Sequence, residues 1–268
     1  DTNSCLSASS AKRLHIPIFH MEAGNRCFDE CLPEETNRRI VDHIADVNLC
    51  YSEHARRYLN AEGTAKERTF VTGSPMAEVL NANYEKIKKS DVLKRLGLES
   101  RGYILLSAHR EENIDTEENF FSLMEGVNAL AEKYGMPIIY STHPRSAKYI
   151  EKRKFTFHPL VRSLKPFGFS DYNRLQKEAY CCVSDSGTLP EESAYYHWKG
   201  EDIAAVCIRT STERPEAMEK GAFILAGIAK EQILQAVETA VKMRERGDFG
   251  ETVPDYACNV SDKVVKII

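Results

Sequence analysis

Short apolar runs alternate along the chain with longer segments in which apolar and polar positions mix. The short runs predict buried strands at residues 16–19, 45–50, 69–72, 103–107, 137–141, 181–184 and 203–208. Between residues 117 and 134 the apolar side chains recur at spacings of three and four, which predicts an amphipathic helix. Strands and helices in alternation favour parallel sheets covered by helices. We therefore expect an α/β fold.

Two breaks divide the chain. A helical stretch rich in Lys and Glu at 76–98, closed by Gly97, is predicted to connect two domains, and a Gly/Pro break at 250–254 precedes another helical segment. Residues 1–78 hold three predicted strands, whereas a Rossmann-like sheet has about five or six. We therefore expect a first Rossmann-like domain at 1–78 that lacks its N-terminal part. A second domain at 79–250 and a helix at 251–268 follow.

Composition narrows the function classes. The chain has 268 residues, of which 42% are hydrophobic and 28% charged, which is typical of globular proteins. A net charge of -4 argues against nucleic acid or a membrane surface as partner. No apolar stretch approaches the roughly 18–20 residues of a membrane span.

The 8 cysteines do not predict a metal site. Cys27 and Cys31 are spaced wrongly for a zinc knuckle, and no second pair follows them. The cysteines within apolar runs are predicted to be buried as small hydrophobic residues: Cys50, Cys181, Cys182 and Cys207. Free thiols of this kind favour a cytoplasmic protein.

Two early segments carry candidate proton-transfer groups. His20 and Glu22 follow an apolar run, and Pro33-Glu34-Glu35 reads as a helix start. Carboxylates at a strand exit and at a nearby helix start are suited to general acid–base work. The alternative for Glu34 is stabilisation of the helix N-terminus, worth about 0.3–1 kcal/mol, which Glu35 could supply equally well.

A strand, a turn and a helix start at 183–192 predict a phosphate site. Backbone N–H groups at a helix N-terminus bind phosphate, and Ser186, Gly187 and Thr188 form the turn. Glu192, one turn into the helix, could accept hydrogen bonds from a ribose diol. The alternative is a plain capped helix with Ser186 or Thr188 as N-cap.

Basic residues follow three other predicted strands. Arg209 and Arg214 suit a diphosphate because guanidinium groups bind phosphate oxygens bidentately, although an Arg–Glu pair in a solvated loop is the alternative. His109-Arg110 and His143 come at the same edge of the sheet, where open α/β sheets bind ligands. No glycine-rich dinucleotide, Walker A or nucleophile-elbow motif supports a nicotinamide, flavin, ATP or serine-hydrolase reading.

Together these motifs resemble the non-hydrolysing UDP-N-acetylglucosamine 2-epimerase family over nearly the whole chain. The residues that carry the resemblance are His20-x-Glu22-Ala23-Gly24, Pro33-Glu34-Glu35-x-Asn37-Arg38, His109-Arg110, Asp185-Ser186-Gly187 with Glu191-Glu192, and Thr212-Glu213-Arg214-Pro215-Glu216-Ala217. The resemblance implies a GT-B-like architecture of two Rossmann-like domains with a nucleotide sugar between them. It further implies elimination and re-addition of UDP through a 2-acetamidoglycal, a homodimer, and no metal or redox cofactor.

Site residues follow from the matching positions and from the strand-end clusters. The resemblance assigns catalysis to Asp1, Glu22, Glu34 and His109. We assign binding of the UDP-N-acetylhexosamine to Arg26, Arg110, His143, Tyr172, Ser186, Gly187, Glu192, Arg209 and Arg214. Which carboxylate removes the proton is left open.

Some positions depart from the common epimerases. Glu111 stands where they have a second Arg, Asn25 where they have Leu, and Thr188-Leu189-Pro190 where they have Gly-Ile-Gln. These changes are more similar to a capsule and O-antigen branch that makes UDP-N-acetyl-L-fucosamine from its 6-deoxy-L-talose epimer. The alternatives are conversion of UDP-N-acetylglucosamine into UDP-N-acetylmannosamine, a GT-B glycosyltransferase, or a fragment that binds UDP without turnover.

Overall fold

Parallel strands and helices alternate from the first strand to the last in the computed structural model. It describes residues 2–30, 32–248, 250–256 and 259–268. The strands in this part of the chain are β1 Phe19–Ala23, β2 Val47–Cys50, β3 Thr69–Val71, β4 Ile104–Ser107, β5 Ile138–Ser141, β6 Val161–Leu164, β7 Cys181–Ser184, β8 Ala205–Cys207 and β9 Ile224–Leu225.

The helices connect these strands and cover the sheets. They are α1 Thr2–Arg13, α2 Pro33–Ile44, α3 Glu53–Ala61, α4 Met76–Lys89, α5 Val92–Leu96, α6 Glu111–Ile114, α7 Glu117–Tyr134, α8 Pro144–Lys152, α9 Phe169–Glu178, α10 Leu189–Trp198, α11 Pro215–Glu219, α12 Lys230–Arg246 and α13 Val260–Ile267. Short 3₁₀ turns stand at Lys66–Arg68 and Pro254–Tyr256.

The first sheet has the order β1-β2-β3, with all pairs parallel. The register shifts between Met21 and Ala23, and Glu22 at this irregularity has a φ of 64°. α13 packs on β2, where Val260 and Val264 contact Leu49. The last helix of the chain therefore completes the packing of the first sheet.

The second sheet has the order β6-β5-β4-β7-β8-β9, which is the doubly wound Rossmann arrangement. Alternate strand residues point to opposite faces. One face packs against α7 and α12, and the other against α4, α9 and α10. The strand order reverses between β4 and β7, so the loops after these two strands diverge and leave a crevice at the carboxyl edge.

The pattern of apolar runs predicts the central elements well. Six of the seven predicted strands are confirmed with ends that agree within two residues, and α7 spans the predicted residues. The strand predicted at 16–19 shares only Phe19 with β1, which runs on to Ala23. β6 and β9, the edge strands of the second sheet, and the polar helix α1 are not predicted, because edge strands and exposed helices lack a continuous apolar run. The helical stretch 76–98 is broken at Ser90 and ends at Gly97, whose φ is 64°.

The two sheets divide the chain between Val71 and Ile104, in agreement with the α/β class of two Rossmann-like units. The residue bounds at 78 and 250 stay predictions. Within the described ranges, no helix has the length and apolar content that crossing a bilayer requires.

Gly24 is predicted to be indispensable to the turn after β1. Its φ is 77°, and a Cβ there would overlap the carbonyl oxygen of Ala55 and approach the carbonyl carbon to 2.9 Å. Gly24→Ala should lower the free energy of unfolding by more than about 3 kcal/mol in chemical denaturation. Gly63→Ala is the control, because its φ is 87° but nothing lies within 4 Å, so about 1–2 kcal/mol is expected. Equal losses would contradict the steric argument.

Candidate active site

An open cleft of about 620 Å³ lies at the carboxyl edge of the second sheet. Its walls include residues that follow four strands of that sheet and residues of α2. A second cavity of about 320 Å³ adjoins it and is lined by His20, Glu22 and Ser4 among others. Glu34 and Arg38 line both spaces, so the two cavities share a wall.

Asp185, directly after β7, connects the two loops that diverge where the strand order of the second sheet reverses. It is fully buried, and its Oδ2 accepts hydrogen bonds from the backbone N–H groups of His109 and Arg110, both at 2.8 Å, and from Asn113 Nδ2 at 3.1 Å. Its Oδ1 lies 3.2 Å from His109 Nδ1. Asp185 thus ties the loop after β4 to the end of β7 and sets the position of the imidazole.

The predicted basic cluster comes together at this edge. His109 and His143 both line the cleft, with ring centroids 5.4 Å apart. His143 caps α8, and its Nδ1 accepts from the backbone N–H of Arg145 at 3.2 Å. Arg110 packs closely on Gly187, where a Cβ would lie 3.1 Å from its Nη2. The structure therefore brings His109, Arg110, His143 and Gly187 to one wall.

The turn at 186–188 leaves the start of α10 without a side-chain cap. Thr188 is the N-cap residue, but its hydroxyl donates to Glu192 at 2.9 Å instead of accepting from the helix. Ser186 Oγ lies 3.0 Å from Thr188 Oγ1. The plain-cap alternative is therefore not what the structure shows. The N–H of Leu189 donates to the carbonyl of Ser186 at 3.4 Å and Pro190 has no N–H, so α10 offers an anion the positive end of its helix dipole.

Glu192 is buried beneath this turn. Besides Thr188, it accepts a hydrogen bond from Gln176 Nε2 at 2.7 Å, and burial raises the pKa of its carboxyl. Tyr172 lies close by, near Ser107 and Ser184 at the strand ends, and burial raises the pKa of its hydroxyl well above the ordinary value. Substrate binding by Glu192 and Tyr172 stays a prediction.

Arg214 joins the two halves of the site. Its side chain is buried, and Nη2 lies 2.8 Å from Glu22 Oε1 and 3.4 Å from Glu191 Oε2. The guanidinium also lies 5.3 Å from the ring centroid of Tyr51. Ser74, which follows β3, donates to Glu191. Arg214 therefore connects β1 with α10, and Ser74 joins the same cluster through Glu191. Substrate binding by Arg214 stays a prediction.

These contacts set the protonation of the two glutamates in opposite directions. Burial opposes ionisation of Glu22, but the charge and hydrogen bond of Arg214, helped by Arg38 and Asn25, hold its pKa below the ordinary value. Burial raises the pKa of Glu191, and Arg214 and Ser74 only partly offset this effect. Glu22 is therefore held in its ionised form at the cavity.

The two glutamates at the start of α2 have separate roles. Glu35 is buried, accepts from the backbone N–H of Cys27 at 3.1 Å, and pairs with Arg38 at 3.4 Å and Arg39 at 3.2 Å. Glu34 is exposed and lines both cavities. Glu35 thus fills the structural role, and Glu34 faces the site.

His20 and Asp42 form a hydrogen-bonded pair at the back of the smaller cavity. His20 Nδ1 lies 2.8 Å from Asp42 Oδ1, and Arg26 Nη1 lies 2.7 Å from Asp42 Oδ2. The sequence identifies His20 as a candidate and Asp185 as a motif residue, but it does not predict the contacts of Asp42 and Asp185, because their partners lie in other elements. His20 and Glu22 stand two residues apart in β1, and this spacing is the sequence signal that both side chains reach the same cavity.

Two predicted substrate ligands are paired with carboxylates in the structure. Arg26 is 1% exposed, and its guanidinium is engaged by Asp42 at 2.7 Å and Glu62 at 2.7 Å, so it supports the fold beside the site. The Nη atoms of Arg209 lie 2.6 and 3.1 Å from the carboxylate of Glu213, as the Arg–Glu alternative states. Substrate binding by Arg26 and Arg209 stays a prediction.

The remaining sequence predictions concern Asp1, the cysteines and metal binding. Asp1 lies outside the described residues. Six cysteines in the described part are free thiols, including the four predicted to be buried. Within that same part, no group of three or more His, Cys, Asp or Glu side chains is arranged to hold a metal ion.

Comparison with known proteins identifies relatives along the full chain. The family described as "UDP-N-acetylglucosamine 2-epimerase" matches residues 1–268. A curated UDP-N-acetylglucosamine 2-epimerase of Methanocaldococcus jannaschii is 33% identical over 260 residues, which cover 93% of this chain and 70% of that protein.

Solved structures show the same likeness. UDP-N-acetylglucosamine 2-epimerase from Rickettsia bellii is 44% identical with a TM-score of 0.85, covering 100% of this chain and 71% of that chain. The Methanocaldococcus jannaschii enzyme in complex with UDP-GlcNAc and UDP is 31% identical with a TM-score of 0.84, covering 100% and 73%.

Glu213 is predicted to make stability depend on acid pH. Burial would raise the pKa of Glu213, but the hydrogen bonds and charge of Arg209, helped by Arg110 and Arg214, lower it from 4.5 to about 2. Its contribution, roughly 3 kcal/mol, is full above pH 4.5 and is lost as pH falls toward 2. Glu213→Gln should therefore lose stability at pH 7 but much less at pH 2.5.

Chemical denaturation across this pH range measures the difference between the variant and the wild-type protein. Glu132→Gln, an exposed position on α7, is the control and should change stability by less than about 0.5 kcal/mol. A difference between Glu213→Gln and wild type that stays constant from pH 7 to pH 2.5 would refute the assignment.

Proposed function

The chain belongs to the UDP-N-acetylglucosamine 2-epimerase family, and from this premise we propose that it inverts C2 of a UDP-N-acetylhexosamine. The C2 proton is not acidic, because no carbonyl is attached to C2. Elimination of UDP forms a 2-acetamidoglycal, and re-addition of UDP with protonation from the opposite face gives the epimer. The reaction requires proton-transfer groups on both faces of the sugar and stabilisation of the leaving diphosphate.

The observation that carries this proposal is that the two cavities are neighbours and share Glu34 and Arg38 in their walls. The larger cleft offers anion-binding groups, and the smaller cavity offers carboxylates. A nucleotide sugar with its diphosphate in the first space places the sugar at the second. The reaction requires stabilisation of the diphosphate and proton transfer at the sugar, and each cavity offers groups for one of these.

Diphosphate binding is assigned to the wall of the cleft at β4 and β7. His109, Arg110 and the uncapped start of α10 after Ser186-Gly187 converge there. A helix N-terminus and a guanidinium both stabilise negative charge. The same groups therefore bind UDP and stabilise it as a leaving group.

Proton transfer is assigned to Glu22 and Glu34, which line the smaller cavity from two different elements, β1 and α2. Glu22 is held ionised by Arg214, whereas Glu34 is exposed to the cleft. We place the two carboxylates on opposite faces of C2. The direction of the reaction then decides which one accepts the proton and which one donates it.

UDP-N-acetylglucosamine is the first candidate substrate and UDP-N-acetylmannosamine its product, because the relatives named above are UDP-N-acetylglucosamine 2-epimerases. The 6-deoxy-L-talose epimer of UDP-N-acetyl-L-fucosamine is the second. Two departures from the common pattern favour it. Asn25 Nδ2 lies 3.2 Å from Glu22 Oε1, and Glu111, at the cleft wall, pairs with Arg145 at 2.5 Å.

Turnover in D2O tests the reaction. The purified protein should convert UDP-N-acetylglucosamine, or the 6-deoxy-L-talose sugar in a parallel reaction, and proton NMR should show solvent deuterium at C2. Glu34→Gln should slow turnover by roughly 10²–10⁴-fold because a proton-transfer group is lost. Glu30→Gln, also exposed, is the control and should match the wild-type rate.

Two results would contradict the epimerase proposal. Turnover without deuterium at C2 would exclude the elimination route. A product that forms only when an acceptor sugar is added would instead favour the GT-B glycosyltransferase. The ratio of the two substrates' kcat/KM values assigns the hexose.

Binding of UDP tests the diphosphate site separately. Arg110→Gln should weaken UDP by roughly 10- to 150-fold in isothermal titration, because a hydrogen bond to a charged group contributes about 1.5–3 kcal/mol. Arg246→Gln removes an exposed positive charge at the end of α12 and should leave the Kd unchanged. Equal affinities of the two variants would move the diphosphate away from Arg110.

A further inference from the structure

The proposed epimerisation, on which this inference rests, leaves its two proton-transfer groups in exchanged states. After one turnover, the carboxyl that removed the C2 proton still holds it, and the carboxyl that protonated the opposite face has lost its own. A second turnover in the same direction requires both to be reset. The site therefore needs a route by which a proton leaves one group and reaches the other.

The pair of His20 and Asp42 lies where such a route would run. His20 lines the same cavity as Glu22 and Glu34, and its side chain is 18% exposed. Asp42 is fully buried and fixed by Arg26 at 2.7 Å and by the backbone N–H of Gly24 at 3.2 Å. The carboxylate holds the ring in place as it does in other histidine–aspartate pairs.

The hydrogen bond to Asp42 selects the tautomer of the imidazole. Because an ionised carboxylate only accepts hydrogen bonds, Nδ1 carries the proton and Nε2 keeps its lone pair. The other charged side chains around the ring are Glu22 of β1, Arg26 of the loop after β1, and Glu34 and Arg38 of α2. The unprotonated Nε2 is then the ring atom that can accept a proton in the cavity that Glu22 and Glu34 also line.

A purely structural role does not explain a histidine at this position. Asp42 already has the positive charge of Arg26, and its backbone carbonyl already accepts from Asn48 Nδ2 at 3.0 Å, which ties α2 to β2. The negative charge of Asp42 is therefore balanced without His20. What the imidazole adds is a titratable nitrogen at the cavity.

We propose that His20 is the proton-transfer residue that resets the two carboxyls between turnovers, and that Asp42 positions it. Nε2 takes the proton from the carboxylic acid, which becomes a carboxylate as the imidazolium forms beside Asp42. The imidazolium then gives the proton to the other carboxylate or to solvent and returns to its neutral state. One proton moves, no redox change occurs, and the sugar is not involved.

Steady-state kinetics of His20→Gln distinguish this role from a structural one. Resetting follows product release, so its loss should lower kcat by roughly 10²-fold. At low substrate the enzyme has time to reset through solvent, so kcat/KM should stay within about threefold. Added imidazole should restore kcat in proportion to its concentration. Thermal unfolding and UDP titration check that the variant is folded.

His197→Gln is the matched control. His197 Nδ1 lies 2.6 Å from Asp202 Oδ1 in a similar pair, outside both cavities, and its replacement should change neither kcat nor the imidazole response.

An unchanged kcat in His20→Gln would overturn the inference while the epimerase activity stands. A parallel fall of kcat and kcat/KM without rescue by imidazole would also overturn it and assign His20 a structural or binding role. Absence of turnover in the wild-type protein would overturn the proposed function, and this inference with it.

Discussion

The buried guanidinium of Arg214 is the interaction on which the rest of the site depends. A buried charge is costly unless it is paired, and Arg214 finds its partners in Glu22 of β1 and Glu191 of α10. These partners belong to different sheets, so the pairing is complete only when the two sheets face each other. The same contact that offsets the cost of burial also keeps Glu22 ionised at the cavity.

Adjacent glutamates divide structure and chemistry between them. Successive helical side chains point about 100° apart, so neighbours in sequence meet different surroundings. The carboxylate of Glu35 makes its contacts within the part of the chain that carries the first sheet, whereas Glu34 faces the cleft. Glu191 is held against Arg214, whereas Glu192 supports the turn that begins α10. A pair of carboxylates therefore provides both the support and the group that it supports.

The sequence predicts those features that depend on local patterns. Central parallel strands are continuous apolar runs, so they are predicted. The loops that follow parallel strands lie at the same edge of the sheet, so the cleft wall that contains His109 is predicted as well. The edge strands β6 and β9 lack that pattern. Tertiary packing selects the partner of a guanidinium, so the pairing of Arg26 with Asp42 is not predicted, and that of Arg209 with Glu213 is predicted only as an alternative. The contacts of Asp42 and Asp185 are missed for the same reason, since their hydrogen-bond partners come from other elements.

The packing of α13 on β2 has a consequence for how the chain folds as it is made. Asp255 accepts from the backbone N–H of Glu53, 202 residues earlier, and Lys263 reaches the carbonyl of Thr72. During synthesis, the first sheet leaves the ribosome long before these partners exist. The second sheet has its own core and can fold in the interval. Leu49 becomes buried only after Val260 and Val264 of α13 have been synthesised. The first sheet to be translated is therefore the last to be buried.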